Sequence, residues 1–225
     1  EMLNKTSFAV SNDDNRYILT GLHMNVDHNQ ITFEATDGKR MARAYISLES
    51  NEQGHTGSYV IPLKAVQEIS IILGDSGDAV LYLLHDKIAV ESGNSFVVAK
   101  LLSGEYPDVT KVIPDKAEFL ISLHREELTS LLRQISLFTA DASHSVRFSF
   151  TNGDLRLSAN TTQVGEGKVN MPVNYHGEPL DVAFNPGFFL DILRHTKDET
   201  VNLGIIDAYN PGVITQPVSA EATAR

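Results

Sequence analysis

The feature that most constrains the fold of this chain is an internal repeat, because segments from its two halves align at a constant spacing of 124 residues. Residues 22–35 alternate between apolar and polar side chains around a short turn, and residues 146–159 repeat the pattern, so both stretches predict β-hairpins. Pro62 and Pro186, each in the first turn of an apolar helical pattern, share the same spacing. A hairpin and a helix at one spacing predict two domains of the same fold.

The remaining patterns contain many strands and few helices. Helices are predicted at residues 2–10, 62–73, 124–138 and 187–196. Besides the hairpins, strands are predicted at residues 79–84, 87–91, 96–101, 119–123 and 201–206. This order indicates an α+β fold in which helices pack on one face of antiparallel sheets.

The segment from Tyr106 to Asp115 is the predicted linker, since it carries two prolines and few apolar residues. We therefore expect one domain at residues 1–115 and the other at residues 116–225. A chain of 225 residues with 42% hydrophobic content is long enough to bury both cores. The first residue is Glu1 rather than Met, which suggests a fragment or a processed chain.

The charge balance limits the kind of partner. A formal net charge of −11 argues against a protein that grips nucleic acid through a large basic surface, although a local basic patch remains compatible with it. The chain has no cysteine, which excludes disulfides and thiolate metal sites and fits a reducing cytosol. No signal peptide is visible, and no apolar run approaches the roughly 18 residues of a membrane-spanning helix. We therefore expect a cytoplasmic protein without a membrane partner.

No catalytic or metal-binding motif is evident. The eight histidines are scattered, and none belongs to a helical His-Glu-x-x-His pattern. Residues 165–168 (GEGK) lack the spacing and the Ser or Thr of a phosphate-binding loop and predict a turn between strands. We expect no enzyme activity, no metal and no cofactor, with a hydrolase that uses dispersed carboxylates as one alternative.

A β-rich binding module with a duplicated domain, of a kind that does not bind nucleic acid, is a second alternative. It predicts aromatic platforms on loops. The chain has no Trp and only 8% aromatic residues, and this composition counts against such a module.

Residues 35–42 (ATDGKRMA) place two cations directly after an Asp-Gly pair in an acidic protein. The repeat assigns the hairpin turn to residues 27–30, so the Asp-Gly pair lies at the exit of the second strand. The other half has residues 159–162 (ANTT) at the matching position. Because fold symmetry does not require the pair, we interpret it as a candidate for function rather than as a turn.

Other short motifs accompany that stretch in a fixed order: Phe8-Ala9-Val10-Ser11, Arg16-Tyr17-Ile18-Leu19-Thr20-Gly21, Tyr106-Pro107-Asp108, Val112-Ile113-Pro114 and Phe184-Asn185-Pro186. The combination resembles the β sliding clamp family of bacterial DNA polymerase III. No single motif is decisive, but their order and spacing make the resemblance specific. It extends along almost the whole chain, to near Val213.

The resemblance implies a fold, an assembly and a function. The family's chain has three domains of one clamp fold, and this sequence is similar to the second and third. The fold would place antiparallel sheets outside and two helices per domain inside a ring, which a homodimer forms head to tail around duplex DNA. The family is a non-catalytic processivity factor that tethers DNA polymerase subunits, the clamp loader and other proteins with a clamp-binding motif.

The resemblance also implies a hydrophobic pocket between the last two domains that binds a short peptide of each partner. By similarity its residues are Leu19, Thr36, Gly38, Lys39, Arg40, Met41, Pro107, Lys111, Val112, Asn185, Phe188 and Tyr209. The apolar members would form a wall for the peptide's anchors, and Arg40 would bind a peptide carbonyl or carboxylate. Taken singly, each apolar member is better explained by an ordinary core; together with the resemblance, the set favours the pocket.

Two further pairs of residues acquire roles by the same resemblance. Tyr17 and Lys64 would face DNA, against the simpler interpretation of a packed tyrosine and a solvated lysine. Leu137 and Phe138 would meet the next subunit, against the simpler interpretation of the end of a buried helix face.

Three departures from the family pattern bear on the pocket. Lys39 stands where the family often has His, and Phe188 where Tyr is frequent, so we expect a changed partner preference rather than lost binding. The family ends in a short apolar strand that walls the pocket. The chain closes instead with residues 221–225 (EATAR), so we expect the second domain to lack its last strand.

Overall fold

A computed structural model describes residues 1–48, 56–74, 77–114, 116–139 and 144–217. The chain divides into two compact units, Glu1–Pro107 and Asp108–Arg225. This division lies at the beginning of the predicted linker, whereas the sequence placed the boundary at its end, after Asp115. Asp115 itself lies outside the described residues.

The first unit contains, in its described part, two α-helices and seven strands. They are α1 (Met2–Thr6), β1 (Gly21–Val26), β2 (Gln30–Thr36), β3 (Met41–Ser47), β4 (Gly57–Pro62), α2 (Leu63–Leu73), β5 (Val80–Leu83), β6 (Lys87–Ser92) and β7 (Ser95–Lys100). Two 3₁₀ segments, Ser7–Ala9 and Asp14–Thr20, connect α1 to β1. The helix predicted over residues 2–10 thus ends at Thr6 and continues as a 3₁₀ turn.

The seven strands form two antiparallel sheets, in the orders β3-β2-β1-β4 and β5-β6-β7. β1 and β2 are the predicted hairpin, and the Asp27 N–H donates to the Gln30 carbonyl over 2.9 Å to close its turn. Alternation directs one face of the first sheet into the core, where Leu22 and Met24 of β1 are fully buried.

Helix α2 packs against strands of both sheets. It follows Pro62, whose fixed φ suits the start of a helix, and it ends at Gly74, whose φ of +57° favours glycine. Val66 and Ile69 of α2 are buried in the same core as Leu22. The apolar face of this helix, which the sequence predicted from its helical period, therefore packs against the sheet as expected.

The second unit also contains, in its described part, two α-helices and seven strands. They are β8 (Phe119–His124), α3 (Arg125–Ser136), β9 (Val146–Thr151), β10 (Asp154–Thr161), β11 (Gly165–Pro172), β12 (Leu180–Phe184), α4 (Pro186–Arg194), β13 (Thr200–Ile205) and β14 (Val213–Thr215). A 3₁₀ turn, Thr110–Val112, precedes them. The core of this unit is its own, built around Phe148, Phe150 and Leu132, each 0% exposed.

The two four-stranded sheets have the same topology, since the second has the order β11-β10-β9-β12. In each unit the last strand of that sheet in chain order leads directly into a helix, β4 into α2 and β12 into α4. This confirms the repeat and the α+β fold predicted from the sequence.

Two predictions for the second unit are wrong. Residues 165–168, predicted as a turn, begin β11, where Gly167 pairs with Ala159. Glycine is needed there for close packing, because an added Cβ would lie 2.5 Å from a ring carbon of Phe138. Strand β14 pairs with β13, although no strand was predicted at its position. The sequence also predicted that the second unit lacks its last strand. That prediction concerns the end of the chain, where residues 218–225 lie outside the described residues, so it stays a prediction.

Candidate functional site

The candidate pocket residues divide between the two units. The first unit holds Leu19, Thr36, Gly38, Lys39, Arg40, Met41 and Pro107. The second unit holds Lys111, Val112, Asn185, Phe188 and Tyr209. Within each unit, local structure determines how these side chains are held.

In the first unit, residues 37–40 form the turn between β2 and β3. The Thr36 hydroxyl donates to the Arg40 carbonyl over 2.7 Å and accepts the Gly38 N–H at 3.0 Å. Asp37 Oδ1 accepts the N–H groups of Lys39 and Arg40 at 2.9 and 3.0 Å. Side chains of the turn thus satisfy its own backbone, and Gly38 supplies the positive φ of +84°.

The interpretation that the Asp-Gly pair is not a turn is therefore wrong. The second unit has a turn at the corresponding place, between β10 and β11, where the Val164 N–H donates to the Thr161 hydroxyl over 3.1 Å. Fold symmetry supplies a turn in both units. Only the first turn has the sequence Asp-Gly-Lys-Arg, so the pair is both a turn and a feature of one copy.

Arg40 is held by contacts inside the first unit. Its Nε lies 3.1 Å from Asp37 Oδ2, and a terminal N–H donates to the Phe8 carbonyl over 3.2 Å. The guanidinium also lies over the Phe8 ring, 5.6 Å from the centroid. With a side chain only 17% exposed, Arg40 anchors the turn to the 3₁₀ segment Ser7–Ala9. Its predicted contact with a peptide stays a prediction.

Arg16 is a neighbour of the turn that the site prediction did not include. A side chain added to Gly38 would collide with the Arg16 guanidinium. Arg16 is exposed and lies 3.3 Å from the Asp13 carboxylate. The sequence signal for Arg16 was the motif of residues 16–21, in which Arg16 stands three positions before the pocket candidate Leu19. A cation therefore lies over the open backbone of the turn.

The apolar candidates of the first unit differ in burial. Leu19 is 8% exposed and Met41 is half-buried, yet the described hydrophobic core of the unit includes neither. Pro107 is exposed. The simpler interpretation as core therefore fits Leu19, whereas Met41 and Pro107 are open to solvent in part or in full.

Tyr106, next to Pro107, lies against the first sheet. Its ring stacks on His23 with centroids 4.6 Å apart and an interplanar angle of 14°. Its oxygen accepts the Thr36 N–H over 3.1 Å. Burial, the largest cause, raises the pKa of Tyr106 to about 12, with the Thr36 hydrogen bond acting to lower it and the nearby Glu34 carboxylate acting to raise it. The hydroxyl therefore stays protonated at neutral pH.

In the second unit, the candidates near the linker are exposed. Val112 is 57% exposed, and Lys111 Nζ lies 3.2 Å from Asp108 Oδ2. Hydrogen bonds from the Thr110 hydroxyl and from Lys111 hold the pKa of Asp108 below its usual range. Lys111 is thus loosely held and solvated, since an exposed pair of this kind is weak.

The remaining candidates of the second unit belong to α4 and to a turn after β13. Asn185 is the N-cap of α4, where its side-chain oxygen accepts the Gly187 N–H at 2.9 Å. Phe188 in the first turn of α4 is half-buried. Tyr209 is 96% exposed in a turn that Asp207 holds by accepting the Tyr209 N–H at 2.7 Å. That bond, the largest cause, lowers the pKa of Asp207.

The residues predicted to face DNA and the next subunit have different environments. Tyr17 is 56% exposed, and Lys64 is exposed in the first turn of α2. Leu137 is 72% exposed just after α3. Phe138 packs partly against the core of its unit, beside Gly167. Of the two predicted subunit-contact residues, Leu137 is the one that presents its side chain to solvent.

Features that a metal-dependent or carboxylate-based hydrolase would use are absent from the described residues. They include no cluster of three or more His, Asp or Glu side chains able to hold a metal ion. The described carboxyl groups with a resolved pKa shift, Asp13, Asp108 and Asp207, are all lowered, whereas an acid catalyst needs a raised pKa. No helix in this part of the chain is long and apolar enough to cross a membrane.

Comparison with known families gives two matches that cover both units. The model described as "DNA polymerase III beta subunit, central domain" matches residues 1–108. The model described as "DNA polymerase III beta subunit, C-terminal domain" matches residues 110–225. The similarity therefore continues past Val213, where the sequence motifs placed its end.

Known proteins and structures agree with these matches. The chain is 53% identical over 220 residues to a beta sliding clamp of Chlamydia pneumoniae, covering 97% of the chain and 59% of the relative. It is 31% identical to that of Haemophilus influenzae, covering 95% of the chain and 58% of the relative. The crystal structure of the DNA polymerase III subunit beta from Pseudomonas aeruginosa matches with a TM-score of 0.91 at 25% identity, covering 97% of the chain and 60% of that protein. The chain thus spans about three fifths of the length of these relatives.

Proposed function

Because this chain belongs to the DNA polymerase III beta subunit family of sliding clamps, we propose that it acts as the central and C-terminal part of a ring around duplex DNA. In this role it is a non-catalytic processivity factor. It tethers replicative polymerase subunits, the clamp loader and repair proteins through a peptide-binding pocket, in the cytoplasm, as part of a homodimer. The observation that carries the proposal is the ordered match of both units to two successive domains of the family.

The residues proposed to bind the peptide include members of each unit. On the first unit, the turn of residues 37–40 presents an exposed Lys39 and an open Gly38 backbone beside the Arg16 guanidinium. Peptide carbonyls and acidic side chains suit such a surface, because both accept hydrogen bonds from cations and N–H groups. Met41 adapts its shape to different apolar anchors.

On the second unit, exposed Val112 and Tyr209 and half-buried Phe188 supply apolar and aromatic area. Aromatic residues such as Tyr209 often supply a large share of the binding energy of an interface when they are desolvated. The expected ligand is therefore a short linear peptide with aliphatic or aromatic anchors and a polar backbone contact to the turn.

The acidic composition supports a ring that slides. A net charge of −11 disfavours tight phosphate binding, which is mostly electrostatic. A closed ring retains DNA by topology and needs only weak contacts. Tyr17 and Lys64, both exposed, are the proposed contacts with DNA.

Titration of the chain with a fluorescent peptide carrying the clamp-binding motif of a DNA polymerase tests the pocket. We expect a dissociation constant near micromolar, about −8 kcal/mol. A peptide that binds neither this chain nor the same chain extended by the C-terminal strand of a longer relative would overturn the assignment.

Met41→Glu should weaken peptide binding by about 30-fold or more, because a carboxylate would replace an apolar anchor contact. The free energy of unfolding should change by less than about 1 kcal/mol, since Met41 lies outside the described core. Isothermal titration and urea unfolding measure the two quantities.

Val98→Glu is the matched control, because Val98 is 55% exposed on β7 and is not a pocket candidate. Its peptide affinity should equal that of the unmodified chain. Equal affinity losses in both variants, or unfolding of Met41→Glu, would favour the interpretation of Met41 as a structural residue.

A further inference from the structure

A polar cluster around a buried glutamate lies on the face of the first sheet that points away from the core. His23, Glu34 and Arg43 are neighbours on β1, β2 and β3, since His23 pairs with Glu34 and Glu34 with Arg43. Glu34 Oε2 lies 3.2 Å from His23 Nδ1, and Oε1 lies 3.2 Å from Arg43 Nε. His23 Nε2 is 2.9 Å from the Ser58 hydroxyl on β4. The cluster therefore links all four strands.

The burial of Glu34 requires a cover. A glutamate on the outer face of an open sheet is normally solvated, yet Glu34 is 6% exposed. Tyr106 provides part of this cover, because its ring stacks on His23 and the residue itself is 8% exposed. A residue at the end of the first unit thus closes over the polar face of that unit's own sheet.

Tyr106 also contacts the candidate binding turn. Its oxygen accepts the N–H of Thr36, which is 70 residues away in the chain. The Thr36 hydroxyl in turn organises the turn by contacting Gly38 and Arg40. The residue after Tyr106 is Pro107, another pocket candidate. One side chain therefore connects two parts of the proposed pocket that are distant in sequence.

We propose that Tyr106 is a positioning residue for peptide binding, which holds the turn of residues 37–40 and Pro107 in their binding geometry through Thr36 and the His23–Glu34–Arg43 cluster. This inference rests on the proposed peptide-binding function. Tyr106 does not contact the peptide; it acts through the Thr36 N–H and through the position of Pro107. Preorganisation of this kind raises affinity because less conformational entropy of the turn is lost when the peptide binds.

Two substitutions separate the parts of this role. Tyr106→Phe keeps the stack on His23 and removes only the acceptor for the Thr36 N–H. Tyr106→Leu removes both. Tyr45→Phe is the matched control, since Tyr45 lies on the same sheet but is 64% exposed. All three are made in the full chain.

The readouts are peptide affinity and the hydrogen exchange of individual backbone amides. Tyr106→Phe should weaken binding of the polymerase peptide by about 2- to 10-fold, the range of one net hydrogen bond. It should also speed exchange at Thr36 and Gly38, with exchange in β9 and β10 of the second unit unchanged. Tyr106→Leu should have the larger effect, and Tyr45→Phe none.

The outcomes distinguish this inference from the function on which it rests. If the peptide binds neither the unmodified chain nor the same chain extended by the C-terminal strand of a longer relative, the proposed function fails and the positioning role fails with it. If the unmodified chain binds and Tyr106→Phe binds equally well, the positioning role alone is overturned. Faster exchange at Thr36 without loss of affinity also overturns it, because Tyr106 would then be only a structural residue.

Discussion

Tyr106 illustrates what burial does to a single residue. The pKa of a tyrosine in an unfolded chain is about 10, and in the folded chain that of Tyr106 is raised to about 12. Between these values the folded state keeps a proton that the unfolded state has released, so the free energy of unfolding falls as the pH rises through this window. The stabilisation is fully present below about pH 10.

Tyr106→Phe should therefore make the free energy of unfolding less dependent on pH between about 10 and 12. Urea unfolding at a series of pH values measures this slope for the variant and for the unmodified chain. Tyr45→Phe, at an exposed site on the same sheet, should keep the original slope. Identical slopes in all three proteins would show that Tyr106 titrates as an exposed tyrosine does.

Sequence reasoning located Tyr106 in a motif but did not predict its contacts. Nothing local relates Tyr106 to Thr36 or His23, because they lie on different strands and loops. Glu34 likewise reads as an ordinary outward residue of an alternating strand, and only the tertiary structure shows that it is buried. Arg40 was predicted to contact a ligand, and local geometry adds internal contacts with Asp37 and Phe8 that no spacing rule predicts.

At the scale of elements, α4 depends on its cap. Asn185→Ala should lower the free energy of unfolding by about 1 kcal/mol, because the Gly187 N–H loses its acceptor. Asn185→Ser should restore most of this stability, since serine is also a good N-cap. Thermal unfolding of the three proteins provides the measurement.

The same pair of variants tests the proposed pocket. If the Asn185 amide contacts the peptide, Asn185→Ser should bind the peptide more weakly although its stability is restored. Normal affinity in Asn185→Ser together with weak affinity in Asn185→Ala would assign Asn185 to helix capping alone.

The predictability of each element followed from its length and period. The hairpins β1–β2 and β9–β10 were predicted because five or more alternating residues flank each turn, and α3 because Leu128, Leu132 and Ile135 share one helical face. β14 was missed because three residues show no period. The start of β11 was missed because glycines such as Gly165 and Gly167 are typical of turns. Glycine is required at position 167 for a different reason, since the Phe138 ring leaves no room for a side chain.

At the scale of the whole molecule, each unit has its own hydrophobic core. We therefore expect fragments 1–107 and 108–225, produced separately, to fold independently. Circular dichroism should show native-like secondary structure and a cooperative unfolding transition for each fragment. A fragment cut at residue 62, which separates β4 from α2, should not fold and is the control. A fragment 1–107 or 108–225 that stays unfolded would contradict this independence.

If peptides bind as proposed, the turn of residues 37–40 has a consequence for how they exchange. Its conformation is maintained by contacts among Thr36, Asp37 and Arg40, so an arriving peptide would meet a surface that is already shaped. Related ligands then associate at similar rates and differ mainly in how long they stay. Under the proposed function, residence time rather than the rate of association would therefore decide which partner occupies the site.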